Sequence, residues 1–282
     1  MEQTTKSGDK TKDKGLTENN SDTLKYKGAA SKHYFDRMDW VAFWVTFAIS
    51  ILAYFWTVAP DLTLEDSGEL AVASHYAGVP HPPGYPIWTI YTWVFTKIFP
   101  FSNIAFRVAV SSAVAGVLAS AMLSLIVSRG SRRLLRGFNF LESLPQDQEN
   151  WIRVLSGVIA GLLLTFDSVL WSQSVIVEVY SFAACSFVAS LLFLFRWTDS
   201  PNKNWYLYLC FLMFGIAVTN HQTLICAAMG IELVICFVRP ILGRNFIAAN
   251  SLVFLLAIIL KAINPEHLRT LDNAIVMGIF WL

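Results

Sequence analysis

Four acids and two histidines crowd one short polar stretch of this chain, Pro60 to Pro86, which reads PDLTLEDSGELAVASHYAGVPHPPGYP and contains no Lys or Arg. Asp61, Glu65, Asp66 and Glu69 supply carboxylates that can accept protons or hold cations; His75 and His81 supply imidazoles that titrate near neutrality. The Asp66-Ser67-Gly68-Glu69 segment runs into Leu70–Ala73, which reads as a short helix. On one reading Asp66 or Ser67 caps that helix and Glu69 completes a capping box. On the other, which does not exclude the first, Asp66 is a general base: a carboxylate at a helix N-terminus is held as the anion by free N–H groups and the helix dipole. In His81-Pro82-Pro83-Gly84-Tyr85-Pro86 three prolines fix φ and push His81 and Tyr85 toward extended backbone. That segment is either a rigid break between two helices or a mount that presents the His81 imidazole to a phosphate or a proton.

The elements that must position these groups belong to a membrane. Hydrophobic residues make up 55% of the 282 and charged residues 15%, against about 45–50% and about 25% in soluble domains. Mean hydropathy is +0.51. Ten Trp, nine Tyr and 21 Phe suit interfacial belts. With a net charge of +1 and no basic stripe, the chain has no nucleic-acid footprint. Cys185, Cys210, Cys226 and Cys236 lie in apolar runs without zinc or disulfide spacing, as buried thiols do. The expected fold is an all-α polytopic membrane protein.

Residues 1–38 are polar and charged and are expected to form a disordered cytoplasmic tail, followed by a transmembrane domain over 39–282. The first apolar run begins near Asp39 behind this tail, so it reads as a retained anchor rather than a cleaved signal. Spans are expected near 40–59, 106–128, 154–170, 175–195, 205–220, 222–238 and 246–263. An eighth run from Asn273 stops inside an apolar stretch at Leu282, as in a piece of a longer chain. Ile87 to Phe99 is short for a crossing. If it lies at the interface within a first outer loop, 60–103, then Arg129, Arg132, Arg133, Arg136 and Arg153 fall on the cytoplasmic side with the tail. That topology brings Asp167, Glu178 and His221 to the same rim as Asp66 and His81. Gly157 and Gly161 form a G-x-x-x-G, a close-packing device. Glu232 lies mid-span with no partner evident in the sequence.

The motif D-S-G-E-L-x-x-A-x-x-x-G-x-x-H-P-P-G-Y-P, Asp66 to Pro86, resembles the signature of a membrane protein O-mannosyltransferase-like family with animal and bacterial members. Phe106-Arg107, Trp171-Ser172-Gln173-Ser174 through Glu178-Val179-Tyr180, and Thr219-Asn220-His221-Gln222-Thr223 extend the resemblance. It implies a GT-C type helical bundle with interfacial helices in the first outer loop, and a glycosyltransferase that moves a sugar, mannose among the candidates, from a polyprenyl-phosphate donor to a hydroxyl of a protein or glycan acceptor. It implies Asp66 as the catalytic base, His81, Arg107 and Tyr85 as donor-binding residues, and Glu69, Glu178 and His221 in support. Members usually continue into a soluble outer domain. No cofactor is called for; a divalent metal would be compatible with the acids but nothing in the spacing requires it. The membrane would be a bacterial inner membrane or, alternatively, that of the endoplasmic reticulum. Two other readings remain open: a transporter or channel with an acidic outer vestibule, and a non-catalytic scaffold subunit.

Overall fold

The computed structural model describes residues 34–63, 66–137 and 144–263. The tail up to residue 33 and the run from Asn273 lie outside the described residues. The chain divides into two units, Met1–Asp36 and Arg37–Leu282. Of the first, only Tyr34–Asp36 are described, with the rings of Tyr34 and Phe35 edge to face at 4.6 Å. The rest concerns the second unit.

Its helices are α1 (Arg37–Thr57), α2 (Ser67–Tyr76), α3 (Pro86–Ile98), α4 (Ile104–Gly137), α5 (Gln146–Thr165), α6 (Ser168–Ser174), α7 (Tyr180–Thr198), α8 (Trp205–Asn220), a 3₁₀ segment (Gln222–Ala227), α9 (Ala228–Val238) and α10 (Pro240–Ile263). Among the described residues there is no strand. Three helices, α1, α4 and α7, are long and apolar enough to cross a membrane, and the bent pair α5–α6 makes up to four. The chain is an all-α polytopic membrane protein. The runs near 205–220 and 222–238 form shorter apolar helices, and a third apolar helical stretch, Pro240–Leu256, opens α10. The second of these begins with the 3₁₀ segment, because His221 adopts an extended conformation at the end of α8.

The span expected at 175–195 begins at Tyr180 and the run expected at 246–263 begins at Pro240; two further boundaries differ for reasons the residues show. The span expected at 106–128 continues to Gly137, since no proline interrupts it and the Arg and Leu residues around Gly130 favour a helix. Its 34 residues extend about 50 Å, well past a hydrocarbon core of about 30 Å. The span expected at 154–170 is two helices meeting at 65°; Asp167 makes the break by accepting from the N–H of Leu170 at 3.0 Å and capping α6.

The helices alternate in direction, so charge segregates to the two ends. At one end Arg153 Nη2 donates to Asp39 Oδ1 at 2.7 Å, and Ser128 Oγ donates to the same oxygen at 2.7 Å. This ties the starts of α1 and α5 to the last turns of α4. Arg153, grouped above with the cytoplasmic arginines, sits inside α5 and is 1% exposed beside the fully buried Asp39. Around it Arg132 pairs with Glu149 at 3.3 Å and Arg133 with Asp199. At the other end Tyr54 donates to the Thr165 carbonyl at 2.8 Å, Trp171 Nε1 to Thr57 Oγ1 at 3.0 Å, and the Ala59 N–H to Val175 O at 2.7 Å.

Small residues let these helices approach. A Cβ on Gly157 would lie 2.7 Å from the Ser124 carbonyl of α4, and one on Gly161 would lie 2.6 Å from Thr46 Cγ2 of α1 and 2.9 Å from the Ser120 carbonyl. The G-x-x-x-G is thus the seat of α5 against α1 and α4. Gly157→Val is expected to cost about 1–3 kcal/mol by overpacking, read as a lower melting temperature in detergent; an unchanged melting curve would show that this seat is not tight. The mid-span Glu232 accepts from Asn250 Nδ2, which joins α9 to α10.

Pro60 and Asn103, the two ends of the acid-rich excursion, touch: Asn103 Nδ2 donates to Pro60 O at 3.0 Å. The chain therefore leaves and re-enters the bundle at one end, and α3, with 13 residues, is shorter than the candidate spans. Leu70, Ala71 and Trp88 pack with Ala105, Val108, Ala109, Val177 and Val179 in one buried cluster. Ser74 and Thr92 join α2 to α3 at 2.8 Å, and Tyr91 donates to Ser111 O of α4 at 2.8 Å. The polar excursion is thereby a rigid part of the bundle.

Candidate active site

Asp66 occupies the N-cap position of α2, but its side chain makes no capping hydrogen bond. The capping box does not form because both partners are drawn into the loop. Ser67 Oγ donates to Thr63 O at 2.6 Å and accepts from its N–H at 3.1 Å. Glu69 accepts the His81 N–H at 2.6 Å on one oxygen and faces His81 Nδ1 at 3.2 Å with the other. Two charge-assisted contacts to one residue hold it more firmly than a helix cap. The Asp66 carboxylate, 61% exposed, is left 3.8 Å from His81 Nε2.

The His81–Pro86 turn aims the imidazole. Gly84 donates to His81 O at 2.9 Å and has φ 89°, a conformation glycine adopts without steric cost. Tyr85 follows at φ 40°, strained for a residue with a Cβ, and Pro86 opens α3 where its missing N–H costs nothing. This turn brings the Tyr85 hydroxyl to 3.2 Å from His81 Nε2. Burial pushes the Tyr85 phenol above its ordinary pKa, and the neighbouring Tyr180 phenol and the carboxylates of Glu178, Asp66 and Glu69 push it the same way. Tyr85 thus stays a hydroxyl and can donate to Nε2 when Nδ1–H points at Glu69. A protonated His81 would instead present Nε2–H to the space shared with Asp66.

Glu178 and Tyr180 are thus near enough to Tyr85 to bear on its phenol. Glu178 is buried; its carbonyl accepts from Ser112 Oγ of α4 at 3.1 Å, and its carboxylate accepts the Val179 N–H at 3.1 Å. The Tyr180 ring meets His221 edge to face at 5.3 Å, and Thr223 Oγ1 contacts His221 Nδ1 at 3.1 Å. Asp66, His81 and Tyr85 form one line of contacts and Tyr180 with His221 a second pair, and these side chains together are termed the rim. Tyr180, half-exposed between Tyr85 and His221, was given no role from sequence; the only signal was its place in Glu178-Val179-Tyr180.

Arg107 is placed elsewhere. Its Nε donates to Phe101 O at 3.0 Å, Nη1 to Thr96 O at 3.1 Å and Nη2 to Ser102 O at 2.8 Å. The last carbonyls of a helix lack intrahelical donors; this guanidinium meets one of them, Thr96 O of α3, and two carbonyls of the following turn, and so braces the turn into α4. Asp167, expected on the rim, is taken up as the cap of α6.

One ligand atom each from Asp66, Glu69 and His81 lie within 4.8 Å of one another, a set that could hold a divalent cation. Chemically the rim offers an exposed carboxylate to accept a proton, an imidazole clamped by a second carboxylate, and a phenol hydroxyl to donate.

The family described as "Protein O-mannosyl-transferase TMEM260 N-terminal domain" matches residues 66–242. The chain is 32% identical over 133 residues to the mouse protein O-mannosyl-transferase TMEM260, covering 47% of this chain and 16% of that protein. It is 29% identical over 148 residues to protein O-mannosyl-transferase tmem260 of Dictyostelium discoideum, covering 52% of this chain and 16% of that protein. The matched stretch thus spans about a sixth of either relative's length. No solved structure matches. The matched residues begin at Asp66 and take in His81, Tyr85, Glu178, Tyr180 and His221, so the whole rim lies within them, and the chain belongs to the TMEM260 N-terminal domain family.

Proposed function

We propose that this chain is the membrane-embedded catalytic part of a GT-C type glycosyltransferase that moves a mannosyl group from a polyprenyl-phosphate donor to a hydroxyl of a protein on the non-cytoplasmic face. The observation that carries this is the exposed Asp66 carboxylate, free of its helix and set beside the Glu69–His81–Tyr85 chain of contacts. The printed names of the two relatives support mannose and a protein acceptor.

Asp66 accepts the proton of the acceptor hydroxyl as its oxygen bonds to the anomeric carbon. The bond from that carbon to the phosphate oxygen breaks, and the polyprenyl phosphate leaves with the electron pair. Protonated His81 donates Nε2–H to the departing oxygens and offsets their charge. Glu69 fixes the imidazole, and Tyr85, with Tyr180 and His221 beyond it, walls the sugar. Because the donor is anchored in lipid, the rim must lie at the membrane surface. The arginine-rich end of α4 favours the cytoplasmic side for the opposite end of the bundle. The eukaryotic sources of both relatives favour the endoplasmic reticulum membrane over a bacterial inner membrane.

The test is transfer by the full-length protein in lipid vesicles, with polyprenyl-phosphate-mannose compared with a nucleotide-activated mannose and with Ser/Thr peptides as acceptors. Transfer from the lipid donor alone is expected; transfer from neither donor overturns the proposal. Cysteines introduced at Tyr76 and Leu134, 76% and 67% exposed, should react with impermeant reagents from opposite sides.

A further inference from the structure

Glu232 is the one charged residue of α9, an otherwise apolar helix, and the site above makes no use of it. At about 1.5 Å per residue it stands about 10 Å along the helix from Arg239. With Arg239 at the interface, that depth falls inside a hydrocarbon core about 30 Å thick. Glu232 is 7% exposed. One of its carboxylate oxygens accepts from Asn250 Nδ2 of α10. Among the described residues the other oxygen has no hydrogen-bond partner, and no Lys, Arg or His pairs with the group. A carboxylate held inside a membrane is costly until a partner compensates it.

The same carboxylate lines a groove. On α9, Met229, Leu233 and Cys236 share its face; on α10, Ile247, Ser251 and Phe254 stand around Asn250 at the same helical spacing. The two helices are seated on each other near their turn, where a Cβ on Gly243 would lie 2.5 Å from Cys236 Cα. Between the two faces is a cavity of about 160 Å³. Met229 and Leu233 at its edge are 42% and 57% exposed. Two largely apolar stripes of matched spacing form a surface against which a third helix packs.

Size and lining together indicate the occupant. Sites for small molecules enclose about 300–1,000 Å³, so a cavity of about 160 Å³ suits one inserted side chain. A lipid tail would cover Leu233 and Ile247 but bring no donor to the carboxylate, which would stay uncompensated. A Lys or Arg on a transmembrane helix answers both demands. Its methylene stem lies along the apolar walls, and its cationic head donates to the unpartnered oxygen.

We infer that the α9–α10 groove seats a further transmembrane helix of the same polypeptide, which inserts one Lys or Arg side chain beside Asn250 to pair with Glu232. The stretch matched to each relative is about a sixth of that relative's length, so proteins of this family have chain to supply such a helix. In the full-length protein in its own membrane, benzoylphenylalanine placed at Met229 or at Leu233 is expected to photo-cross-link within the chain. Mass spectrometry should map the adduct to an apolar stretch of about 20 residues that holds a Lys or Arg. Glu232→Lys should cut the cross-link yield about three- to twentyfold, the range of a polar contact between transmembrane helices. Reversing the mapped cation to Glu in that variant should restore the yield. Glu232→Gln still accepts from Asn250 but carries no charge, so it should lower the yield while the α9–α10 contact persists. Cross-links to lipid alone, to another polypeptide or to a stretch without Lys or Arg overturn the inference. So does a yield that both Glu232 variants leave unchanged, or one that charge reversal fails to restore. Neither readout involves sugar transfer, so the outcome is separate from that of the transferase reading.

Discussion

Asp66→Asn in the full-length protein is expected to lower sugar transfer by about 10²–10⁴-fold, the contribution of a positioned general base, with little change in melting temperature. The two halves of that expectation have separate causes. The amide keeps the shape of the carboxylate but cannot take the acceptor's proton. The fold is spared because Asp66 makes no capping bond and is largely exposed, so little packing depends on it. Transfer at the wild-type rate would remove Asp66 from the mechanism, and a loss of activity together with a large fall in melting temperature would reassign it to folding.

The second large effect lies at the far end of the bundle and concerns stability. Asp39→Ala leaves the Arg153 guanidinium, 1% exposed, without its carboxylate, and removes the acceptor of Ser128 Oγ. Breaking a buried ion pair from one side costs about 3–5 kcal/mol, so the variant should melt far below the parent in detergent or fail to accumulate. Replacing both partners with apolar residues, Asp39→Leu with Arg153→Met, should recover most of the loss, since desolvation of the charges is then avoided as well. A single variant that melts with the parent would show that the pair does not hold α1, α4 and α5 together.

Both sites show where sequence reading reaches its limit. The apolar runs and the charge asymmetry were legible as membrane helices because lipid imposes length and composition on any spanning segment. Helix limits were less legible: α4 runs past its hydrophobic stretch, and Asp167 divides a continuous apolar run into α5 and α6. Arg107 and Arg153 illustrate a different difficulty. One is implied by the resemblance to bind the donor and the other reads as one of several cytoplasmic-side arginines, yet the first braces three carbonyls and the second is buried against Asp39. Residue type and position along the chain do not say which acceptor a guanidinium meets, because its partners lie many residues away or in turns whose path depends on packing.

The sequence by itself determined that the chain is a helical membrane protein and that Asp66, Glu69, His81 and Tyr85 belong to one short, rigid segment. Those follow from hydropathy and from proline and glycine chemistry, which act locally. Only the tertiary structure decided that Glu69 clamps His81 instead of capping α2 and that Glu178, Tyr180 and His221 complete the rim. The first depends on the path of the turn that returns His81 to Glu69, the second on contacts between segments far apart in the chain, and such paths and contacts are fixed by how the helices pack around α4.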